Sequence, residues 1–77
     1  MYNETISWHM SDFDYMVECN ARDIALMLMD DKGISVEEAL RLLYASKTYE
    51  NLKRKDTGLY FQSPGYVYEY LRRELNL

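Results

Sequence analysis

Apolar residues recur every three or four positions along several stretches of the chain, the spacing that places side chains on one face of a helix. The first predicted helix starts after Ser11, which forms a capping pattern with Asp14 three positions later, and ends at Gly33. Its apolar stripe consists of Phe13, Val17, Ala21, Ile24 and Leu28.

A second helix is predicted to start at Ser35, where Glu38 completes another capping pattern. The residues expected on its core face are Val36, Ala39, Leu40 and Leu43. The sequence ASKT, residues 45–48, predicts a break at which Ser46 caps a short third helix. A single helix that continues through Lys53 is the alternative.

The segment between this region and the last helix is predicted to be a turn followed by a short extended piece. In KDTG, residues 55–58, Asp56 can bond the backbone ahead and Gly58 tolerates a positive φ. LYFQ, residues 59–62, is expected to be extended, and it could pair with the N-terminal segment ISWHM as a two-stranded ribbon.

The last helix is predicted to begin at Ser63, with Pro64 at its first position, where a missing N–H has no cost. The expected fold is therefore all-α: a single-domain bundle of three to four helices with residues 1–10 as an N-terminal arm. The two-stranded ribbon would be its only β-structure.

The first helix contains a stretch, Ile24–Met29, in which every residue is apolar. A helix that is apolar all round is buried on all sides. A chain of 77 residues has little structure with which to cover it, unless a second copy contributes or the C-terminal segment wraps tightly around it. We therefore expect a homo-oligomer, and the self-association candidates are Ile24, Met27, Leu28 and Met29.

The last helix carries more tyrosines than one face can bury. Helical spacing places Tyr66 and Tyr70 on the side of Val67 and Leu71, whereas Tyr68 lies roughly opposite. At least one ring must meet solvent, the arm or another molecule. Tyrosine is enriched at protein interfaces because it buries a large area and keeps a polar tip.

The residues that catalysis and metal binding require are scarce. The chain has one cysteine and one histidine, so neither a disulfide nor a clustered metal site is expected. His9 lies in the arm, and Cys19 is expected to be a small packing residue. The three glycines form no phosphate-binding pattern. We expect a non-enzymatic protein without a cofactor.

The charge is divided unevenly between the two halves of the chain, although the net value is −4. Residues 1–38 carry nine acidic and two basic side chains, a balance of −7, whereas residues 39–77 carry four and seven, a balance of +3. The alternative function is a small nucleic-acid-binding regulator that uses Lys53, Arg54, Lys55, Arg72 and Arg73. The acidic total disfavours it.

The N-terminus has no signal-peptide pattern, and the longest apolar run, IALMLM, is far shorter than the ~20 residues that span a bilayer. A single free thiol is typical of a reducing compartment. We therefore expect a cytoplasmic protein without membrane contact.

Two runs resemble a family of small uncharacterised bacterial proteins: SVEEALRLLYASKTYENLKRKDTGLYFQSPGYVYEYLRREL, residues 35–75, and DYMVECNARDIALMLMDD, residues 14–31. The motifs shared with that family are EEAL, LY, S and TY, followed by TGLY, QSP and YVY. The resemblance implies no assigned chemistry. Related small domains accompany toxin-like proteins, often ADP-ribosyltransferase-like, so it implies an antitoxin or accessory role.

The resemblance also groups residues of the C-terminal half. Gly58, Ser63 and Pro64 serve as turn and cap devices, whereas the tyrosines and Gln62 are not needed for that purpose. The candidate partner-binding residues are accordingly Tyr49, Tyr60, Gln62, Tyr66 and Tyr68. Protein binding is the function that we expect from this sequence.

Overall fold

A computed structural model describes residues 11–77, which form four α-helices joined by short connections. The helices are α1 (Asp12–Lys32), α2 (Val36–Tyr44), α3 (Lys47–Leu52) and α4 (Pro64–Leu75). Two 3-10 helices, Lys55–Thr57 and Leu59–Phe61, lie between α3 and α4. Residues 11–77 contain no strand, which confirms the all-α bundle.

Each α-helix starts at a serine whose Oγ accepts a hydrogen bond from the backbone N–H three residues later. The four capping distances are 3.1 Å at Ser11, 3.2 Å at Ser35, 3.0 Å at Ser46 and 3.3 Å at Ser63. A cap of this kind contributes about 1 kcal/mol. The cap at Ser46 separates α2 from α3, so two helices form rather than one continuous helix.

The core lies where α1 packs against α2 and α4. The predicted stripe of α1 is buried apart from Phe13, which packs against the core and is partly exposed. The other helices contribute the buried side chains of Ala39, Leu43, Leu52, Val67 and Leu71. Val36 was expected on the core face of α2 but is exposed, because it stands in the first turn beyond the reach of α1 packing.

The apolar stretch Ile24–Met29 is not buried on all sides within one copy of the chain. Ile24, Ala25 and Leu28 are buried, Met27 and Met29 are half-buried, and Leu26 is exposed. The expectation of complete burial is therefore wrong for a single copy: the neighbouring helices cover one side of this stretch and leave Leu26 open.

The turn at residues 55–58 is held by a threonine. The Thr57 hydroxyl donates to the carbonyl oxygens of Asn51 (2.6 Å) and Arg54 (2.9 Å) and accepts from the Leu59 N–H (3.3 Å). Asp56, which we expected to bond the backbone, instead pairs with the Arg54 side chain at 2.7 Å. Gly58 has a φ of 72°, as the turn requires.

The prediction of an extended segment at residues 59–62 is wrong. Leu59–Phe61 is a 3-10 helix, because the Gln62 N–H returns to the Leu59 carbonyl at 3.0 Å. Its backbone is thus engaged within the segment rather than with a second strand. The proposed ribbon partner, residues 6–10, lies outside the described residues.

Candidate functional site

The candidate tyrosines do not share one surface. Tyr68 is only 6% exposed and packs in the core with Val67 and Leu71, so its predicted position on an open surface is wrong. Tyr66 is exposed and contacts Tyr70 edge-on, with ring centroids 5.6 Å apart. The buried face of α4 therefore includes Tyr68 together with Val67 and Leu71, whereas Tyr66 and Tyr70 are exposed.

The position of Tyr68 is fixed by a polar contact with α1. Its hydroxyl donates to the Asp31 carboxylate at 2.6 Å, and Arg72 lies 3.8 Å from the same carboxylate. Burial, and after it the hydrogen bond to Asp31, raise the pKa of the Tyr68 phenol above its ordinary range. The acidic C-terminal turn of α1, which has no explanation in the sequence, thus anchors α4.

Tyr49 belongs to another cluster. Its ring lies 4.9 Å from that of Tyr44, and the Lys53 ammonium is 4.9 Å from the Tyr49 ring centroid. Burial raises the pKa of Tyr49, and the Glu18 charge adds to the shift. Tyr49 therefore lies with Tyr44 and Lys53, and not with the other candidate tyrosines.

A cleft of about 270 Å³ lies between α1 and the connection that leads into α4. Its α1 side includes Tyr15, Met16 and Asn20, and its opposite side includes Tyr60, Phe61 and Gln62. We call it the aromatic cleft. Phe61 is 68% exposed and Tyr15 is 62% exposed, the two highest values among the large apolar side chains of residues 11–77.

The central ring of the aromatic cleft is held on two sides. Tyr60 packs edge-on against Phe13, with centroids 4.8 Å apart, and lies 4.4 Å from the ring of Phe61. Phe13 itself packs against the core of α1. The aromatic wall is therefore ordered by the fold, while Phe61 at its end stays in contact with solvent.

Asn20 joins the two sides of the aromatic cleft. Its Nδ2 donates to the carbonyl oxygens of Tyr60 (3.3 Å) and Gln62 (3.4 Å). The residue is only 6% exposed, and its Oδ1 is buried without a hydrogen-bond partner among residues 11–77. It is the one buried side-chain nitrogen or oxygen in this part of the chain that lacks a partner.

A larger cleft, of about 550 Å³, lies between α3 and α4. It is lined by the Glu74 carboxylate, both oxygens of which accept hydrogen bonds. Glu74 accepts from the Lys47 N–H (2.7 Å), the Thr48 N–H (2.9 Å) and the Thr48 hydroxyl (2.8 Å). Burial alone raises the pKa of this carboxyl, but these hydrogen bonds outweigh it and hold the pKa of Glu74 below its usual range. Glu74 therefore supplements the Ser46 cap, because it accepts from the first two N–H groups of α3.

The five basic residues of the nucleic-acid alternative each lie near an acid or an aromatic ring. Arg54 pairs with Asp56 (2.7 Å), Arg72 with Asp31 (3.8 Å), Lys53 lies over Tyr49 (4.9 Å), Lys55 over Phe13 (5.1 Å) and Arg73 over Tyr70 (5.9 Å). The neighbouring carboxylates offset part of the positive charge that phosphates would need. The nucleic-acid alternative stays a prediction.

The self-association candidates divide between core and surface. Ile24 and Leu28 are fully buried within one copy and present no surface to a second. Met27 and Met29 are half-buried and flank the exposed Leu26. The homo-oligomer therefore stays a prediction that would depend on these three residues.

Residues 11–77 contain no group of three or more His, Cys, Asp or Glu that could hold a metal ion. Cys19 is half-buried and lines the aromatic cleft, and His9 lies outside the described residues. Within residues 11–77, every helix is too short or too polar to cross a membrane.

Comparisons with known proteins add no relative: no protein-family model, no curated protein and no solved structure matches the chain. We therefore infer the role of the site from the residues and contacts of this chain alone.

Sequence reasoning missed Tyr15, Phe61 and Asn20 as site residues. Asn20 had a readable signal, because it stands three residues after Val17 and four before Ile24, on the apolar stripe of α1. A polar residue on a buried stripe needs a partner. Tyr15 and Phe61 had no such signal, since they are 46 positions apart and only the tertiary fold brings them together.

Proposed function

We propose that this protein acts by binding another protein, and that the aromatic cleft is the surface it uses. The observation that carries the proposal is the presence of Phe61 and Tyr15, the two most exposed large apolar side chains, in the same cleft. Single exposed apolar residues are ordinary on a protein surface, whereas a cluster around a concave site is typical of an interaction site.

The residues of the cleft are held in place by contacts within the chain, which also supports a role in protein binding. Tyr60 is fixed between Phe13 and Phe61, and Asn20 ties the backbone of the 3-10 helix to α1. A surface that is ordered before binding loses less conformational entropy when a partner arrives. Aromatic side chains in such positions are the residues that most often dominate binding energy at protein interfaces.

The candidate set from the sequence contributes two members to this surface, Tyr60 and Gln62. A toxin-like partner is the narrower form of the proposal, and it rests on the family resemblance alone. The proposed activity uses the apolar area and the hydrogen-bonding atoms of the cleft, and it requires no catalytic group and no cofactor.

The test is capture of a partner by the tagged full-length chain from its native cells, with three variants side by side. Phe61→Ala and Tyr15→Ala each remove an exposed ring of the cleft. Tyr44→Ala is the matched control, since Tyr44 is 49% exposed but does not line the cleft. Circular dichroism checks that all three remain folded.

We expect both cleft variants to lower partner retention by about tenfold or more, the scale of an interface hot spot, and the control to retain it. The complex should survive nuclease treatment and respond little to salt, unlike a phosphate-bound complex. Equal retention by all variants, or equal loss in Tyr44→Ala, would remove the cleft from the binding surface.

A further inference from the structure

The unpartnered oxygen of Asn20 requires an explanation, because buried polar atoms in folded proteins nearly always have a hydrogen-bond partner. The orientation of the amide is fixed, since its other end faces two carbonyl oxygens, Tyr60 and Gln62, which can only accept. Oδ1 is therefore the free acceptor and needs a donor. Asn20 lines the aromatic cleft, so the cleft is the side from which a donor outside the chain can approach this oxygen, which is itself buried.

The charge of the cleft selects the kind of donor. Among residues 11–77, Asp23 is the only charged side chain that lines it. Its neighbour Arg22 lies 3.6 Å away, but that pair is exposed and Arg22 does not line the cleft. A cationic donor is favoured here over a neutral or anionic one.

The aromatic wall favours the same chemistry. A guanidinium or ammonium group close to the face of a tyrosine or phenylalanine ring is attracted by the ring quadrupole. Tyr60 and Phe61 offer two such rings at the cleft, and Phe61 is open to solvent. The chain's own Lys55 lies 5.1 Å from the adjoining ring of Phe13, but it does not line the cleft.

We infer that the protein partner places a basic side chain, arginine or lysine, in the aromatic cleft. Its N–H group donates to Asn20 Oδ1, its charge faces the Asp23 carboxylate, and its aliphatic stem packs on Phe61 and Tyr15. This inference rests on the proposed protein-binding function and specifies the chemistry of the partner at that site.

The experiment is a nuclear magnetic resonance titration of the full chain with benzamidine, which joins an aromatic ring to a cationic donor pair. Benzyl alcohol and benzoate are the control ligands, with the same ring and a neutral or anionic group. We expect benzamidine to shift the amides of Met16, Asn20 and Phe61, with a Kd on the order of 1 mM, as befits a ligand of its size. Benzyl alcohol should bind more weakly and benzoate should not bind.

Two variants of equal charge locate the effect. Asp23→Asn removes the one charge that residues 11–77 place in the cleft, and Asp30→Asn is the matched control, because Asp30 is an exposed aspartate of α1 that does not line it. We expect Asp23→Asn to weaken benzamidine about threefold, the scale of an exposed ion pair, and Asp30→Asn to leave it unchanged. Asn20→Leu should abolish the preference of the cleft for benzamidine over benzyl alcohol. If Asn20→Leu does not fold, the comparison of Asp23→Asn with Asp30→Asn still tests the inference.

Equal binding of benzamidine and benzyl alcohol would show a cleft that selects rings and not cations, and would overturn the inference. Absence of benzamidine binding, tighter binding of benzoate, or shifts centred outside the cleft would overturn it as well. None of these results would remove the proposed protein-binding function, which fails only if partner capture ignores Phe61 and Tyr15. The two claims are thus separable.

Discussion

Two polar side chains reach across this small bundle to the backbone of another segment, and they are satisfied to different degrees. Glu74 of α4 caps α3, and both of its carboxylate oxygens accept hydrogen bonds. Asn20 of α1 holds the second 3-10 helix, but only its nitrogen is used. We use the name α4 seam for two contacts of α4 together: that of Glu74 with the start of α3, and that of Tyr68 with Asp31 of α1.

This difference in hydrogen bonding distinguishes a region that serves folding from a region that we assign to binding. In the α4 seam the carboxylates have their donors, so its contacts are explained by folding alone. In the aromatic cleft an acceptor without a donor stands beside exposed rings, an arrangement that folding does not explain. Variants of the α4 seam should therefore change stability, whereas variants of the aromatic cleft should change binding.

The largest effect is expected for Tyr68→Ala. The ring is almost fully buried and its hydroxyl bonds to Asp31, so its removal leaves a cavity and an acid without its donor. We expect the free energy of unfolding, measured in urea, to fall by about 3–4 kcal/mol. Tyr66→Ala, on the exposed side of the same helix, should change it by less than about 0.5 kcal/mol. Similar losses in the two variants would place Tyr68 outside the seam.

A smaller effect is expected for Glu74→Ala, about 2 kcal/mol at neutral pH, because three hydrogen bonds to a charged but partly exposed group are lost. The matched control is Glu69→Ala on the exposed surface of α4. Since the pKa of Glu74 is lowered by folding, its contribution is present above the unfolded pKa of about 4.3 and is lost as the pH falls through the folded value.

Urea unfolding of wild type and Glu74→Ala over a pH series measures this loss. The stability difference between the two proteins should shrink in acid, whereas the difference for Glu69→Ala should change less. A Glu74 difference that stays constant down to the lowest pH would mean that the charged carboxylate does not cap α3.

The smallest effect on stability is expected for Asn20→Ala, a change within about 1 kcal/mol. The variant loses two long hydrogen bonds, but it also removes the oxygen that has no partner. Partner capture should nevertheless fall, so the two measurements should diverge. A loss of several kcal/mol would show that Asn20 is a structural residue comparable to Glu74, and the contrast between the two regions would disappear.

The helix starts could be read from the sequence because each depends on a serine and the three residues after it. The buried face of α4 could be read in part. Val67 and Leu71 are buried, as their helical spacing predicts, whereas Tyr68 was expected on the open side and is buried as well. Its partner Asp31 lies 37 positions before it, so only the tertiary fold brings the two side chains together.

The sequence predicted an aromatic protein-binding surface, but it identified only some of the residues that form it. Tyr60 and Gln62 lie in the aromatic cleft, but Tyr15 joins them only because residues 59–61 coil as a 3-10 helix against α1. A local reading of LYFQ favours an extended strand, since Tyr60 and Phe61 have high β-propensity. The tertiary contact with Asn20 overrides that preference.

Site-specific photocrosslinking in native cells would show whether the aromatic cleft contacts a partner protein. A photoreactive phenylalanine analogue replaces Phe61 in one protein and Tyr44 in another, both exposed and only Phe61 in the aromatic cleft. The account predicts a nuclease-resistant adduct with a different protein from position 61 and none from position 44. Equal adducts from both positions, no adduct from position 61, or an adduct with a second copy of the chain alone would contradict it.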